Sequence, residues 1–282
     1  MLLGQGYRVV CPDLMGFGRT DAPQINQASD MAYYSFKRAA DDIMELAKQL
    51  GCETIILGGH DWGGAIAYRT ALWHPKLVSR LFAVCTPYWP PSKTYTPLET
   101  MVRTRMPNWG YQLHLASGEV EERIKSKAQI EQFLNSVYGG QGPDGEAGFS
   151  HTEGPLYENL PRLNRTPLVG KELLEFYAAE YERHGMRGTL CWYRNREQNF
   201  QDELQLEKKT VDIPVLFIQA TNDAALPPSL SDGMERFVPD LTRKEVEASH
   251  WALWQKPVEV NGMVREWLER AEETKSHLQE NH

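Results

Sequence analysis

Apolar residues along the chain fall into two alternating patterns. Short runs rich in β-branched and aromatic residues, at 7–11, 54–57, 81–85 and 214–218, predict strands, and the resumed alternation predicts a further one at 243–247. Between them the period lengthens. Phe36, Ala39, Ala40, Ile43, Met44, Ala47 and Leu50 recur on one face of a helix that Ser35 can cap and Gly51 can stop. Residues 62–73 predict a second helix, with Ala65, Ile66, Arg69, Ala71 and Leu72 giving good propensity and a broad apolar face. Further helices are expected near 229–237 and over 257–272. Strand–helix–strand alternation predicts the α/β class, a mostly parallel, doubly wound sheet, and the run 54–57 suits a strand buried on both faces. In such sheets ligands bind outside the carboxyl ends of the strands.

The alternation stops after Pro87. Tyr88-Trp-Pro-Pro91 breaks it, and the stretch that follows is rich in Tyr, Trp and Arg without clear buried strands. Residues 119–138 and 171–184 read as helical. The glycine-rich 139–154 reads as a loop and lacks the Gly-Lys-Ser/Thr ending of a phosphate cradle. The parallel-sheet pattern resumes at 214. The expected organisation is therefore a core domain from 1–87 and 206–282, interrupted by a helical cap, or lid, at 88–205.

The 282 residues are enough for one such domain with an insertion, and 41% hydrophobic with 24% charged residues is ordinary for a globular chain. Thirty basic against thirty-eight acidic residues give a net charge of −8, which argues against nucleic-acid or anionic-membrane partners. Cys11, Cys52, Cys85 and Cys191 lack paired or metal-like spacing, which favours a reduced, cytoplasmic setting. No apolar run approaches a membrane span, Met1-Leu-Leu3 is too short for a signal peptide, and the ending at His282 is no retention tail. The sequence leaves the oligomeric state open.

The chemistry concentrates in Thr54-Ile-Ile-Leu-Gly-Gly-His-Asp-Trp-Gly-Gly64. Gly59-His60-Asp61-Trp62-Gly63 has the small-x-nucleophile-x-small spacing of a nucleophile elbow, with aspartate at the centre. A strand turning at once into a helix strains the turn residue and lifts its side chain above the sheet, and glycines on both sides keep Cβ atoms away. The helix N-terminus then aims free N–H groups at negative charge there. An Asp that merely caps the helix would carry the same local sequence.

Two more residues sit just past strand ends. Asp223 lies in Thr221-Asn-Asp-Ala-Ala-Leu-Pro-Pro228 and His250 in Ala248-Ser-His-Trp251. The interval between them fits one helix–strand unit, so both are expected at the sheet edge that holds Asp61. The order nucleophile, acid, histidine is that of a hydrolase triad.

Over nearly its whole length, from Gly6 onward, the sequence resembles the soluble-type epoxide hydrolases of the α/β-hydrolase family. The resemblance rests on the Pro-Asp-Leu-x-Gly-x-Gly loop within 7–23, Gly58-Gly-His-Asp-Trp-Gly-Gly64, Arg187-Gly-x-x-x-Trp-Tyr-Arg194, Asn222-Asp-x-x-Leu-Pro227 and Ser249-His-Trp251. It implies an α/β-hydrolase fold with a helical lid and hydrolysis of a small apolar epoxide by water to a vicinal diol, through an ester on Asp61 and without metal or cofactor. Asp223 and His250 would be its charge-relay partners. Tyr193 and Tyr111 would bind the epoxide oxygen, and the Trp62 backbone N–H would serve the oxyanion hole. Trp62, Trp192, Gln112 and Trp251 would line the substrate pocket, with Trp254 close by.

The chain departs from the family pattern at its start, where further strands and a His-Gly-x-Pro loop supplying a second oxyanion donor are absent. The resemblance then implies a truncated sheet with unpaired edges and a weaker oxyanion hole. Two other readings follow: a haloalkane dehalogenase, which shares Asp-Trp at the elbow, and a catalytically impaired small-ligand binder. Tyr193 argues against the dehalogenase, since a departing halide needs no proton.

Overall fold

The computed structural model describes residues 1–280, with side chains as far as 270. In chain order the main elements are α1 (Phe36–Gln49), β1 (Ile55–His60), α2 (Trp62–Trp73) and β2 (Val78–Val84). Then come α3 (Leu98–Thr104), α4 (Gly110–Ala116), α5 (Glu119–Arg123), α6 (Lys127–Val137), β3 (Phe149–Ser150), β4 (Gly154–Pro155), α7 (Lys171–Glu182), α8 (Arg187–Arg194) and α9 (Arg196–Glu203). The chain closes with β5 (Val215–Ala220), β6 (Leu241–Val246), α10 (Ala252–Gln255) and α11 (Pro257–Glu280).

The chain divides into two compact units. One comprises Met1–Pro12, Ile43–Pro90 and the stretch from Lys208; the other comprises Asp13–Asp42 and Pro91–Glu207.

In the first unit a four-stranded sheet runs in the order β1–β2–β5–β6, every neighbouring pair parallel. The fold class is thus the parallel α/β sheet that the sequence pattern implies. β5 holds five of its six residues at 1% exposure or less. One face packs Leu216, Ile218, Val246, Val260, Val264 and Leu268 into a single apolar cluster with Val84 and Cys85. β1 is half-buried rather than sealed on both faces, because among the described residues it pairs on one side only, with β2.

Several local expectations change. Residues 7–11 form no strand: Tyr7 leans on the core cluster, while Val9 and Val10 are exposed and no neighbouring ladder takes the segment up. The helix expected at 229–237 is instead two short 3₁₀ turns, Pro228–Ser231 and Met234–Arg236, parted by Gly233 at φ +77°. The run 119–138 breaks at extended Ile124, where Ser126 and Gln129 form a capping box that starts α6 afresh.

The second unit is helical apart from the antiparallel β3–β4 pair, which lies inside the expected 139–154 loop and its edge. Residues 13–42, read from the sequence with the first unit, cluster here for identifiable reasons. Trp192 Nε1–H donates to Met15 O at 2.9 Å, and the Phe36 N–H donates to Asn199 Oδ1 at 2.8 Å. Gly16 meets Gly188 so closely that a Cβ on Gly16 would lie 2.6 Å from the Gly188 carbonyl carbon. Tyr34, fully buried, donates to Pro23 O at 2.8 Å.

Candidate active site

The turn from β1 into α2 is strained. Asp61 has φ 53° and ψ −127°, a conformation L-residues avoid. Its side chain makes no capping hydrogen bond to the helix it precedes, so the capping interpretation of this aspartate falls away. The surrounding glycines are not equivalent. A Cβ on Gly59 would meet the Gly63 carbonyl oxygen at 2.2 Å, and one on Gly64 would meet Thr86 Cβ at 2.6 Å, whereas one on Gly63 meets nothing within 4 Å. Thr86 also donates its hydroxyl to Asp61 O at 2.8 Å, pinning the turn from the segment after β2.

Asp223 follows β5 and His250 follows β6, so both loops open at the carboxyl edge that carries Asp61. His250 Nδ1 is 2.8 Å from Asp223 Oδ2, and its Nε2 is 3.1 Å from Asp61 Oδ1. The Asp223 side chain is fully buried. Its other oxygen accepts from the N–H groups of Ala225 and Leu226, both at 2.8 Å. The histidine loop is braced by Gln255, whose Oε1 accepts the Ser249 N–H at 2.7 Å.

Charge follows from this geometry. Burial works to raise both carboxylates, but for each the hydrogen bond and charge of His250 outweigh it. Asp61, helped by the Trp62 N–H, is held at about 2, and Asp223, helped by its two backbone donors, also lies below the usual carboxylate range. Burial works to lower His250, yet the Asp223 and Asp61 bonds and charges push it up to about 10. At neutral pH the site therefore holds an imidazolium between two carboxylates, with both ring nitrogens donating.

Sequence reasoning passed over two members. His60 lies against His250 with ring centroids 4.7 Å apart and the planes tilted by 43°, and its Nε2 lies 2.8 Å from the His250 carbonyl oxygen. Cys85 is buried, at φ 65°, with Sγ 3.5 Å from that same oxygen. Asp61 and Cys85 are the two non-glycine residues with positive φ among those described, and each follows directly on a parallel strand. The signal for His60 was its place in the elbow sequence; nothing in the sequence pointed to Cys85. His60, Cys85 and His250 each bring a metal-competent atom within 4.8 Å of the others. In this structure those atoms are committed to hydrogen bonds with Asp61, Asp223 and the His250 carbonyl.

Trp251 lies beside His250, with ring centroids 5.5 Å apart, and at right angles to Trp254 at 5.3 Å. Trp62 opens α2 immediately after Asp61.

The remaining predicted residues lie in the second unit. Tyr111 on α4 and Tyr193 on α8 meet edge to face, 6.2 Å between centroids. Gln112 is buried and donates to Tyr111 Oη at 3.3 Å. Trp192 is buried, with its N–H spent on Met15 O. Among the described residues no helix is long and apolar enough to cross a membrane.

Comparison with known proteins agrees with this architecture. A family model described as alpha/beta hydrolase fold matches residues 2–257. Epoxide hydrolase srdG of Neurospora crassa is 40% identical over 281 residues, covering 95% of this chain and 80% of that protein. Bifunctional epoxide hydrolase 2 of Sus scrofa is 31% identical over 273 residues, which take in 94% of this chain and 47% of that longer protein. Among solved structures, epoxide hydrolase A from Mycobacterium thermoresistibile matches with a TM-score of 0.71 at 24% identity, covering 92% of this chain and 81% of the other. Epoxide hydrolase VrEH1 from Vigna radiata gives 0.74 at 21% identity with the same coverage. Those two likenesses speak for the fold. With the family match and the 40% identity they lead to one conclusion: this chain belongs to the alpha/beta hydrolase fold family and is of the epoxide hydrolase type.

Proposed function

We propose that the protein hydrolyses a small apolar epoxide to a vicinal diol through a covalent ester on Asp61. The observation that carries this reading is a carboxylate on a strained turn, uncapped, aimed at a histidine that a buried carboxylate orients. An Asp held ionised at about 2 is a nucleophile at any physiological pH.

In the first half-reaction an Asp61 oxygen attacks an epoxide carbon, the C–O bond of the ring breaks, and the oxygen takes a proton to become a hydroxyl. That proton is assigned to Tyr111 and Tyr193, because their motifs match those of the family's oxygen-binding tyrosines. A phenol is a far stronger acid than an alcohol, so it protonates an alkoxide readily.

Alkylation removes the negative charge that faced Nε2 of His250. The imidazolium loses one of its two stabilising partners, its affinity for the proton falls and its Nε2 proton passes to solvent, after which the neutral ring can take a proton from the attacking water. The hydroxide equivalent attacks the carbonyl carbon of the Asp61 ester. The Trp62 N–H, already directed at the Asp61 carboxyl, stabilises the oxyanion; its collapse breaks the ester C–O bond, the diol oxygen takes the proton from His250, and the Asp61 carboxylate is restored. Trp62, Trp251, Trp192 and Gln112 are assigned to substrate contact, and the aromatic surroundings of His250 favour apolar substrates. The four free cysteines fit a reducing, cytoplasmic setting.

A single turnover in ¹⁸O-labelled water tests the reading. The first diol should carry oxygen from Asp61 and not from solvent, and Asp61→Asn should form no ester detectable by intact mass. Solvent label in the first diol overturns the covalent route. Release of chloride or bromide from haloalkanes without diol formation from epoxides would place the protein among dehalogenases instead.

A further inference from the structure

The catalytic histidine of the proposed reaction is held from two sides, and the reaction removes one of them. Before alkylation its ring is fixed at Nδ1 by Asp223 and at Nε2 by Asp61. Once Asp61 is an ester it no longer offers a carboxylate to Nε2. The ring must then be aimed at water by Asp223 and by its own backbone.

That backbone is gripped at the carbonyl. His60 Nε2 lies 2.8 Å from the His250 oxygen, and since a carbonyl only accepts, Nε2 of His60 carries the proton and donates. The Cys85 thiol makes a longer, weaker contact to the same oxygen at 3.5 Å. The grip comes from the ends of two adjacent strands: His60 is the last residue of β1 and Cys85 directly follows β2. The His60 ring also lies against the His250 ring, 4.7 Å between centroids, and both approach Trp251.

We propose that His60 is a positioning residue for His250: its Nε2–H holds the His250 carbonyl and its ring backs the imidazole, so that Nε2 stays aimed at the reacting centre after Asp61 has become an ester. The role requires only that Nε2 of His60 carry a proton, which a neutral ring supplies in the Nε2–H tautomer. Burial and the charge of His250 both lower its basicity, so it remains an uncharged donor beside the imidazolium. The consequence is asymmetric. Alkylation proceeds with the Asp61–His250 contact intact and depends little on His60, whereas ester hydrolysis, which runs without that contact, depends on it strongly.

This proposal rests on the epoxide-hydrolysis reading, and the experiment keeps the two apart. His60→Asn keeps a polar side chain but cannot reach the carbonyl, and His60→Gln places an amide N–H close to the Nε2 position. With melting temperatures matched to the wild type, His60→Asn is expected to alkylate within about threefold of wild type. Its hydrolysis step should slow by about tenfold or more, so that the Asp61 ester accumulates in intact-mass spectra, and His60→Gln should recover most of that loss. Equal slowing of both steps, unchanged hydrolysis in His60→Asn, or a Gln variant as impaired as Asn would overturn the proposal.

A second readout needs no substrate. The Nδ1 proton between His250 and Asp223 should give a downfield proton resonance that broadens in His60→Asn and returns in His60→Gln; an unaltered line in His60→Asn also overturns it. If the wild type opens no epoxide, the functional reading fails while this resonance still judges His60.

Discussion

Nε2 of His250 and Oδ1 of Asp61 lie 3.1 Å apart, in an ion pair that the proposed chemistry dismantles at its first step. The free enzyme and the alkylated enzyme should therefore titrate differently. In the free enzyme Asp61 is ionised above about 2 and His250 is protonated up to about 10. The parameter kcat/KM, which reports alkylation where that step is committing, is expected to stay flat from about pH 5 to pH 9. Ester hydrolysis needs neutral His250. Its single-turnover rate is expected to rise with pH and level off well below pH 10, because the ester no longer supports the imidazolium. Stopped-flow rates for the two steps across pH check this, and a hydrolysis limb centred near 10 would contradict it.

The same pair ties stability to pH in both directions. The basicity of His250 is raised above its ordinary 6.5, so its contribution to folding is fully present below 6.5 and is lost as pH rises through about 10. That of Asp61 is depressed from 3.8, so its contribution is present above 3.8 and is lost as pH falls through about 2. The stability gap between wild type and His250→Gln, from urea midpoints, should be widest between about pH 4 and 6.5 and shrink on the alkaline side. A gap that grows between pH 7 and 10 would show the sign to be wrong.

The elbow glycines separate cleanly. Gly59→Ala forces a Cβ to 2.2 Å from the Gly63 carbonyl oxygen, a backbone atom that a rotamer change cannot move. It should cost about 3 kcal/mol or leave the protein unfolded. Gly63→Ala meets open space at the start of α2, and alanine favours helix over glycine, so stability should hold or rise by up to about 1 kcal/mol. Thermal melts of the two variants decide the matter, and equal destabilisation would refute the distinction.

The elbow was legible because its cause is local: the spacing Gly59-x-Asp61-x-Gly63 encodes a strand-to-helix turn, although the close approaches fall on Gly59 and Gly64 and not on Gly63. Asp223 and His250 were legible because strand ends place them: β5, before Asp223, is strongly apolar, while β6, before His250, is a mixed edge strand read mainly from its place in the alternation. His60 and Cys85 were not, since their meeting at one carbonyl depends on the order β1–β2–β5–β6, which no local pattern states. The same limit explains residues 7–11, where strand propensity had no neighbour to pair with. It also explains 13–42, whose place is set by Trp192, Asn199 and Gly188, far along the chain. Gly233 and the capping box at Ser126 were visible as residue types, but sat inside windows whose average looked helical.

Tyr111 and Tyr193 offer the last test, and the one that bears most directly on the leaving oxygen. Their rings meet edge to face on α4 and α8, with Gln112 donating to the Tyr111 hydroxyl. If both phenols serve the same oxygen, one can partly cover for the other. Tyr111→Phe and Tyr193→Phe should each slow alkylation by about tenfold, and the double variant by about 10²–10⁴-fold, the range for a lost general acid. Hydrolysis of a preformed ester should change little, because the oxygen has by then become a hydroxyl. Because the phenyl rings remain, folding should be preserved and the melting temperature should stay within a few degrees. Epoxides whose ring oxygen is already activated, by an electron-withdrawing substituent on the ring carbons, should lose less than unactivated ones. A double variant that alkylates at the wild-type rate would remove both tyrosines from the chemistry and leave them as packing between α4 and α8.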